Sequence, residues 1–170
     1  LEWYEKRGVY VHAGVRAEKI DRQQRLVIGG GGKVVEPYDH LVLATGSYSF
    51  VPPMKGVKTE DGELLPGVYG FRTIDETRAM LDAVGRCKKA VVMGGGLLGL
   101  EAARALQSHG LHVELVHAMP HLMNMQLDAE AGAILKKSVE SLGIAVHLDV
   151  FATDVFGDAH VEGVGLADGR

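Results

Sequence analysis

The feature that most restricts this chain is the run Val91-Val92-Met93-Gly94-Gly95-Gly96-Leu97-Leu98-Gly99-Leu100-Glu101-Ala102-Ala103. An apolar β-branched stretch passes straight into glycines at G-x-G-x-x-G spacing and then into helix formers. A strand, a tight turn and a helix satisfy that order. Gly94 permits the turn out of the strand, Gly96 removes a Cβ where a pyrophosphate would approach the backbone, and Gly99 lets the helix pack closely on the sheet. The pattern is weak alone. It gains force here because it follows a strand, opens a helix and lies within a βαβ unit. The free N–H groups and partial positive charge of a helix N-terminus suit a phosphate. Gly94, Gly95, Gly96, Leu97, Leu98 and Gly99 are therefore candidate contacts for a dinucleotide.

The chain around this motif alternates. The sequence predicts a helix from Thr73, because Thr73 and Glu76 fit a capping box. Ile74, Thr77, Leu81 and Val84 follow at helical spacing, and Gly85 stands at the helix end. A strand over 90–93, a helix over 97–109 closed by Gly110, and a strand over 112–116 come next. A long helix follows Asp128, with Leu127, Ala131, Leu135, Val139 and Leu142 on one stripe and Gly143 behind it. A strand over 144–148 and a hairpin over 150–166 around Gly157-Asp158 complete the reading. The order β-α-β-α-β implies parallel strands with helices on the faces, a Rossmann-like α/β domain.

The first 45 residues read differently, as an antiparallel meander. Strands are expected over 8–12 and 15–21, and a hairpin joins 26–28 to 33–35 through the four consecutive glycines 29–32. Those four glycines lead into a strand, so they present no helix N-terminus to a phosphate. Residues 40–44 form a continuous apolar run, the pattern of a strand buried on both faces. Prolines 52, 53 and 66 mark residues 46–70 as a connecting stretch. The boundary is placed between segments 1–50 and 51–170.

A dinucleotide site commonly has an acidic residue ~20 positions after the first glycine, on the ribose 2′-hydroxyl. Here that place holds His117, while Glu114 lies earlier on the strand. A histidine does not repel a 2′-phosphate as a carboxylate does, and a protonated one attracts it. NADP is therefore tolerated by this reading. His117 reads equally as a polar strand end.

Composition excludes several classes. The 170 residues carry 18 basic and 22 acidic side chains, net −4, which does not suit a nucleic-acid groove. No apolar run approaches the ~20 residues of a membrane span. The lone cysteine, Cys87, makes no internal disulfide or CxxC pair, and a reducing cytoplasm is the expected compartment. The eight histidines include the spacings 109/112 and 117/121, but no carboxylate completes a metal site.

A second segment adds to the glycine motif. Tyr38-Asp39-His40-Leu41-Val42-Leu43-Ala44-Thr45-Gly46-Ser47 resembles the YDxLxxATG segment of flavin-dependent pyridine nucleotide-disulfide oxidoreductases, and it precedes the nucleotide motif as in that family. The finer resemblance is to large subunits of assimilatory NAD(P)H nitrite reductases. It rests on residues 44–53, on Phe71-Arg72-Thr73-Ile74-Asp75, on residues 94–103, and on Leu122-Met123 with Gln126-Leu127-Asp128. Rubredoxin and ferredoxin reductases and NADH oxidases are similar over the same span.

The resemblance implies FAD and NAD(P)H as cofactors. Ala44, Thr45 and Gly46 would border the FAD, with backbone at Ala17 near its adenine. Glu101 would correspond to a glutamate near nicotinamide and flavin, the candidate catalytic residue; the lesser alternative is a solvated glutamate or one stabilising a helix N-terminus. The family carries an acidic residue where this chain has His117, which removes a reason for NADH preference. By the same resemblance the chain is an internal slice of a larger enzyme: the later part of an FAD-domain segment and most of an NAD(P)H domain. Sirohaem and an iron–sulfur cluster would belong to the parent protein. Expected partners are the dinucleotides and the rest of that parent, with a homodimer left open. In isolation the slice reads as a nucleotide-binding module without turnover.

Overall fold

The computed structural model describes residues 1–170 as two compact units, Leu1–Ser47 and Tyr48–Arg170. The first unit contains a one-turn helix, α1 (Glu2–Glu5), and a three-stranded antiparallel sheet of β1 (Ala17–Asp21), β2 (Leu26–Gly29) and β3 (Val34–Pro37) in that order. The β2–β3 connection is the glycine run. Gly30, Gly31 and Gly32 all have positive φ (60°, 69° and 83°), a region that side chains avoid, so three adjacent glycines are what this turn requires. Gly29 lies within β2, where a Cβ would be 3.2 Å from the backbone carbon of Arg16.

Two strands expected in this unit do not form. Residues 9–12 are irregular, because Val9 N–H turns back to the Tyr4 carbonyl and Gly8 and Gly14 take left-handed φ on either side. Residues 40–44 join no sheet. Val42 is 83% and Leu43 69% exposed, against the expectation of burial on both faces. An apolar run becomes a buried strand only when neighbours satisfy its backbone on both sides, and no strand of this chain pairs with it.

The second unit follows the alternating pattern. It comprises α2 (Ile74–Val84), β4 (Lys89–Met93), α3 (Leu97–Ser108), β5 (His112–Val116), α4 (Ala129–Ser141) and β6 (Ala145–His147). The hairpin β7 (Ala152–Phe156) and β8 (Gly163–Leu166) completes it. β4, β5 and β6 form a parallel sheet in that order, with Met93 opposite Val116 and Val116 opposite His147. Alternation places Val113 and Leu115 on one sheet face, where they are fully buried with Ala103, Leu122, Val139 and Ile144. Complete burial of such side chains contributes about 1.5–3 kcal/mol each. α4 uses Val139 and Leu135 of its predicted stripe, while Leu142, just past its end, is 40% exposed.

α2 starts as predicted. Thr73 caps the Glu76 N–H at 3.1 Å, and the Glu76 carboxylate returns to the Thr73 N–H at 2.7 Å. It also accepts from the Arg72 N–H (2.9 Å) and the Ser49 hydroxyl (2.9 Å). These donors, the Thr73 backbone foremost and Ser49 next, hold its carboxyl below the ordinary value. The predicted apolar stripe does not hold: Ile74 and Leu81 are exposed, and Val84 is the stripe residue that packs on the core. Gly85 caps α2 in right-handed geometry, φ −68°, so a left-handed terminator is not what it supplies.

Residues 46–70 are more than a connector. Val57 and Leu65 are buried with Val155, and single bridge pairs join Lys55 to Asp154 and Lys58 to Leu64. Prolines interrupt ladders but do not prevent such packing. No helix is long and apolar enough to cross a membrane.

Candidate nucleotide-binding site

The turn between β4 and α3 is built from its glycines. Gly94 has φ +110°, a conformation that essentially only glycine adopts. Its N–H bonds to the Val116 carbonyl at 2.8 Å, tying the turn to the end of β5. Gly96 is the N-cap of α3 in extended geometry, and a Cβ there would meet no atom within 4 Å. Its lack of a side chain therefore leaves open space on the outer side of the turn. Gly99 differs. A Cβ there would overlap the Gly94 carbonyl oxygen and lie 2.8 Å from its carbon, so Gly99 lets the helix close upon its own turn.

The start of α3 is unlike those of the two other long helices. α2 has the Thr73 hydroxyl and α4 has the Asp128 carboxylate, which accepts from Ala131 N–H at 2.9 Å. α3 has no side-chain cap and no acid in its first turn. The first four N–H groups of a helix lack intrahelical acceptors, and here no side chain replaces them. They leave a donor array with the positive end of the helix dipole behind it. Leu97 and Leu98 in this turn are 63% and 55% exposed. Glu101, one turn on, is exposed, and its carboxylate takes no hydrogen bond or ion pair.

His117, Leu122 and Met123 pack against the turn, with Asn124 behind His117. His117 is buried at 9% exposure. Its Nδ1 accepts the Gly95 N–H at 3.1 Å, and its Nε2 faces Asn124 Oδ1 at 3.2 Å. The Gly95 carbonyl accepts from Met123 N–H at 2.9 Å, which Met123 reaches from left-handed φ +54°. A Cβ on Gly95 would lie 2.5 Å from Leu122 Cδ2 and 2.9 Å from His117 Cγ. The Gly95 N–H is thus engaged inside the protein, and the His117 ring lies beneath the turn.

Leu122 and Met123 stand out in the sequence only through the family resemblance, and Asn124 does not stand out at all. Backbone bonds such as Met123 to Gly95 leave no compositional trace. Glu114 is turned aside: it pairs with His147 Nε2 at 3.0 Å and Lys89 at 3.4 Å, and the His147 hydrogen bond leads in holding its carboxyl below the ordinary value.

The other predicted residues fall in the first unit. Ala17 opens β1 opposite Gly29. Ala44, Thr45 and Gly46 lie in the exposed irregular segment, with Gly46 at φ +72°, and no hydrogen bond joins them to Ala17. No group of three or more His, Cys, Asp or Glu side chains converges. Cys87 is an exposed free thiol beyond α2.

The family model described as pyridine nucleotide-disulphide oxidoreductase matches residues 4–170. A nitrite reductase [NAD(P)H] of Bacillus subtilis is 40% identical over 168 residues, covering 99% of this chain and 20% of that protein. The nitrite reductase (NADH) large subunit of Escherichia coli is 41% identical over 145 residues, 85% of this chain and 16% of that protein. The chain thus spans about a fifth of these relatives' length. Among solved structures, a ferredoxin reductase from Rhodopseudomonas palustris superposes with TM-score 0.84 at 28% identity, covering 99% of this chain and 40% of that one. Together with the strand–glycine turn–helix unit, these matches show that the chain belongs to the pyridine nucleotide-disulphide oxidoreductase family.

Proposed function

We propose that this chain is the NAD(P)H-docking part of a flavin-dependent oxidoreductase of the nitrite reductase large-subunit type, working in the cytoplasm. The observation that carries the reading is the uncapped start of α3 beside the open space at Gly96. The residues fit a dinucleotide pyrophosphate: backbone donors at 96–99 would take its oxygens, and no Cβ blocks approach. Exposed Leu97 and Leu98 would lie along the nucleotide. Glu101, unpaired and on the same helix, would orient the nicotinamide end.

The chemistry these cofactors supply when bound is hydride transfer from nicotinamide to flavin. Ala17 and the 44–46 segment would form only a flank of the flavin contact, since they frame no cradle of their own. Sirohaem and an iron–sulfur cluster belong, in this reading, to the longer protein. The structural match to a ferredoxin reductase favours a second reading, a reductase of a small electron carrier; the higher identity to nitrite reductases favours the first.

Calorimetric titration of the chain with NADH and NADPH tests the docking role. Saturable binding of at least one nucleotide is expected, weakened by Gly96→Ala. Absence of binding by both would refute it.

A further inference from the structure

His117 occupies the place from which a strand-end side chain usually reaches the ribose, yet its geometry serves another end. The ring is 9% exposed, with Nδ1 taken by the Gly95 N–H and Nε2 facing Asn124 Oδ1. Accepting at Nδ1 requires the neutral ring with its proton on Nε2, where Asn124 Oδ1 accepts it. Such a ring offers neither a carboxylate for a ribose hydroxyl nor a full positive charge for a 2′-phosphate.

Both polar groups of the Gly95 backbone are engaged. Its N–H goes to His117, and its C=O takes the Met123 N–H at 2.9 Å. Leu122, fully buried, closes the remaining side against Gly95. Gly94 N–H is tied to Val116 at 2.8 Å. The two peptides before Gly96 are thereby clamped from β5 and the loop behind it, and the donors that stay open begin at Gly96.

We propose that His117 is a positioning residue: through Gly95 it fixes the 94–99 turn so that the open donors at 96–99 face the pyrophosphate, and it does not itself select between NADH and NADPH. This rests on the docking role proposed above. Recognition of the pyrophosphate then comes from a preorganised backbone, and affinity follows the quality of the clamp.

Two substitutions separate the roles of the two ring nitrogens. In His117→Asn the side-chain oxygen stands where Nδ1 stands, one bond from Cγ, and still accepts from Gly95. In His117→Gln the polar atoms lie one carbon further out, towards Asn124, and the Gly95 N–H is left buried without an acceptor. Calorimetric titration is expected to give NADH affinity within about threefold of the parent for H117N and a loss of roughly tenfold for H117Q. The loss in H117Q is expected to be equal for NADH and NADPH, since both share the pyrophosphate.

Equal behaviour of H117N and H117Q overturns the proposal, as does a changed NADH-to-NADPH ratio, which marks direct contact with the ribose. If the parent chain binds neither nucleotide, the docking role itself fails. If it binds and only the variants disagree, the His117 inference alone fails. Should H117Q not fold, nitrogen-15 NMR of the parent chain decides. The ring must carry its proton on Nε2 with the Gly95 amide protected from exchange, and a proton on Nδ1 overturns the proposal.

Discussion

Gly99→Ala tests the geometry of the turn most sharply. The added methyl carbon would overlap the Gly94 carbonyl oxygen and lie 2.8 Å from the carbonyl carbon. Carbon atoms pack comfortably at about 3.5 Å or more, and the oxygen is nearer than the carbon, so the helix and turn must separate by well over 0.7 Å, roughly twice that. Neither atom belongs to a flexible side chain. Gly94 is fixed to Val116, and Gly95 to His117 and Met123.

Overpacking of this kind costs about 1–3 kcal/mol, and a rigid backbone contact belongs at the upper end. Alanine returns about 1 kcal/mol as the better helix former. The net is about 2 kcal/mol of lost stability, which lowers the melting temperature by about 4–8 °C in a chain of this length. Because the open donors move with the turn, NADH affinity falls too. Gly96→Ala is the counterpart: with no atom within 4 Å of its Cβ, it leaves the melting temperature within about 1–2 °C, the scale of a cap change under 1 kcal/mol, while weakening NADH binding. Differential scanning calorimetry and titration of both variants read these effects. A Gly99→Ala protein with the melting temperature and nucleotide affinity of the parent would refute the reasoning.

Other consequences are more local. Glu76→Ala removes the acceptor of four hydrogen bonds and costs about 1 kcal/mol, the scale of a lost cap at a half-exposed site. The folded carboxyl lies below its ordinary value of 4.5. Its contribution is therefore complete above that pH and is lost as pH falls through the lower folded value; melting curves of parent and variant should converge under acid. Leu122→Ala opens a cavity in a fully buried position beside Gly95 and should cost about 2–5 kcal/mol by urea unfolding. Glu101→Gln, on an exposed and unpaired side chain, should change stability by less than about 0.5 kcal/mol. In a flavin-containing protein of the kind proposed, stopped-flow absorbance should show slower flavin reduction by NADH.

The parts of this fold visible in the sequence are those fixed by neighbours along the chain. β4, α3, β5 and α4 follow from apolar periodicity, and Thr73 and Asp128 mark two helix starts because capping is a short-range interaction. Gly94 and Gly99 are legible for the same reason, although the partner of Gly99 is the turn and not the sheet. What the sequence does not reveal depends on distant contacts. The 40–44 run has the composition of a buried strand, but composition does not say whether strands lie beside it. Residues 46–70 read as a connector because Val57 and Leu65 pack on Val155, ninety residues or so away. His117 is at the position its spacing indicates, yet the direction of its ring is set by Gly95 and Asn124, which spacing does not encode.

Backbone donors at the start of α3 are proposed to hold the dinucleotide. Amide proton–nitrogen NMR spectra recorded while NADH is added to the isotope-labelled chain test it directly. Saturable shifts are expected at Gly96, Leu97, Leu98 and Gly99, with Gly95 remaining bonded to His117. Binding that moves amides elsewhere and leaves those four unchanged would contradict it.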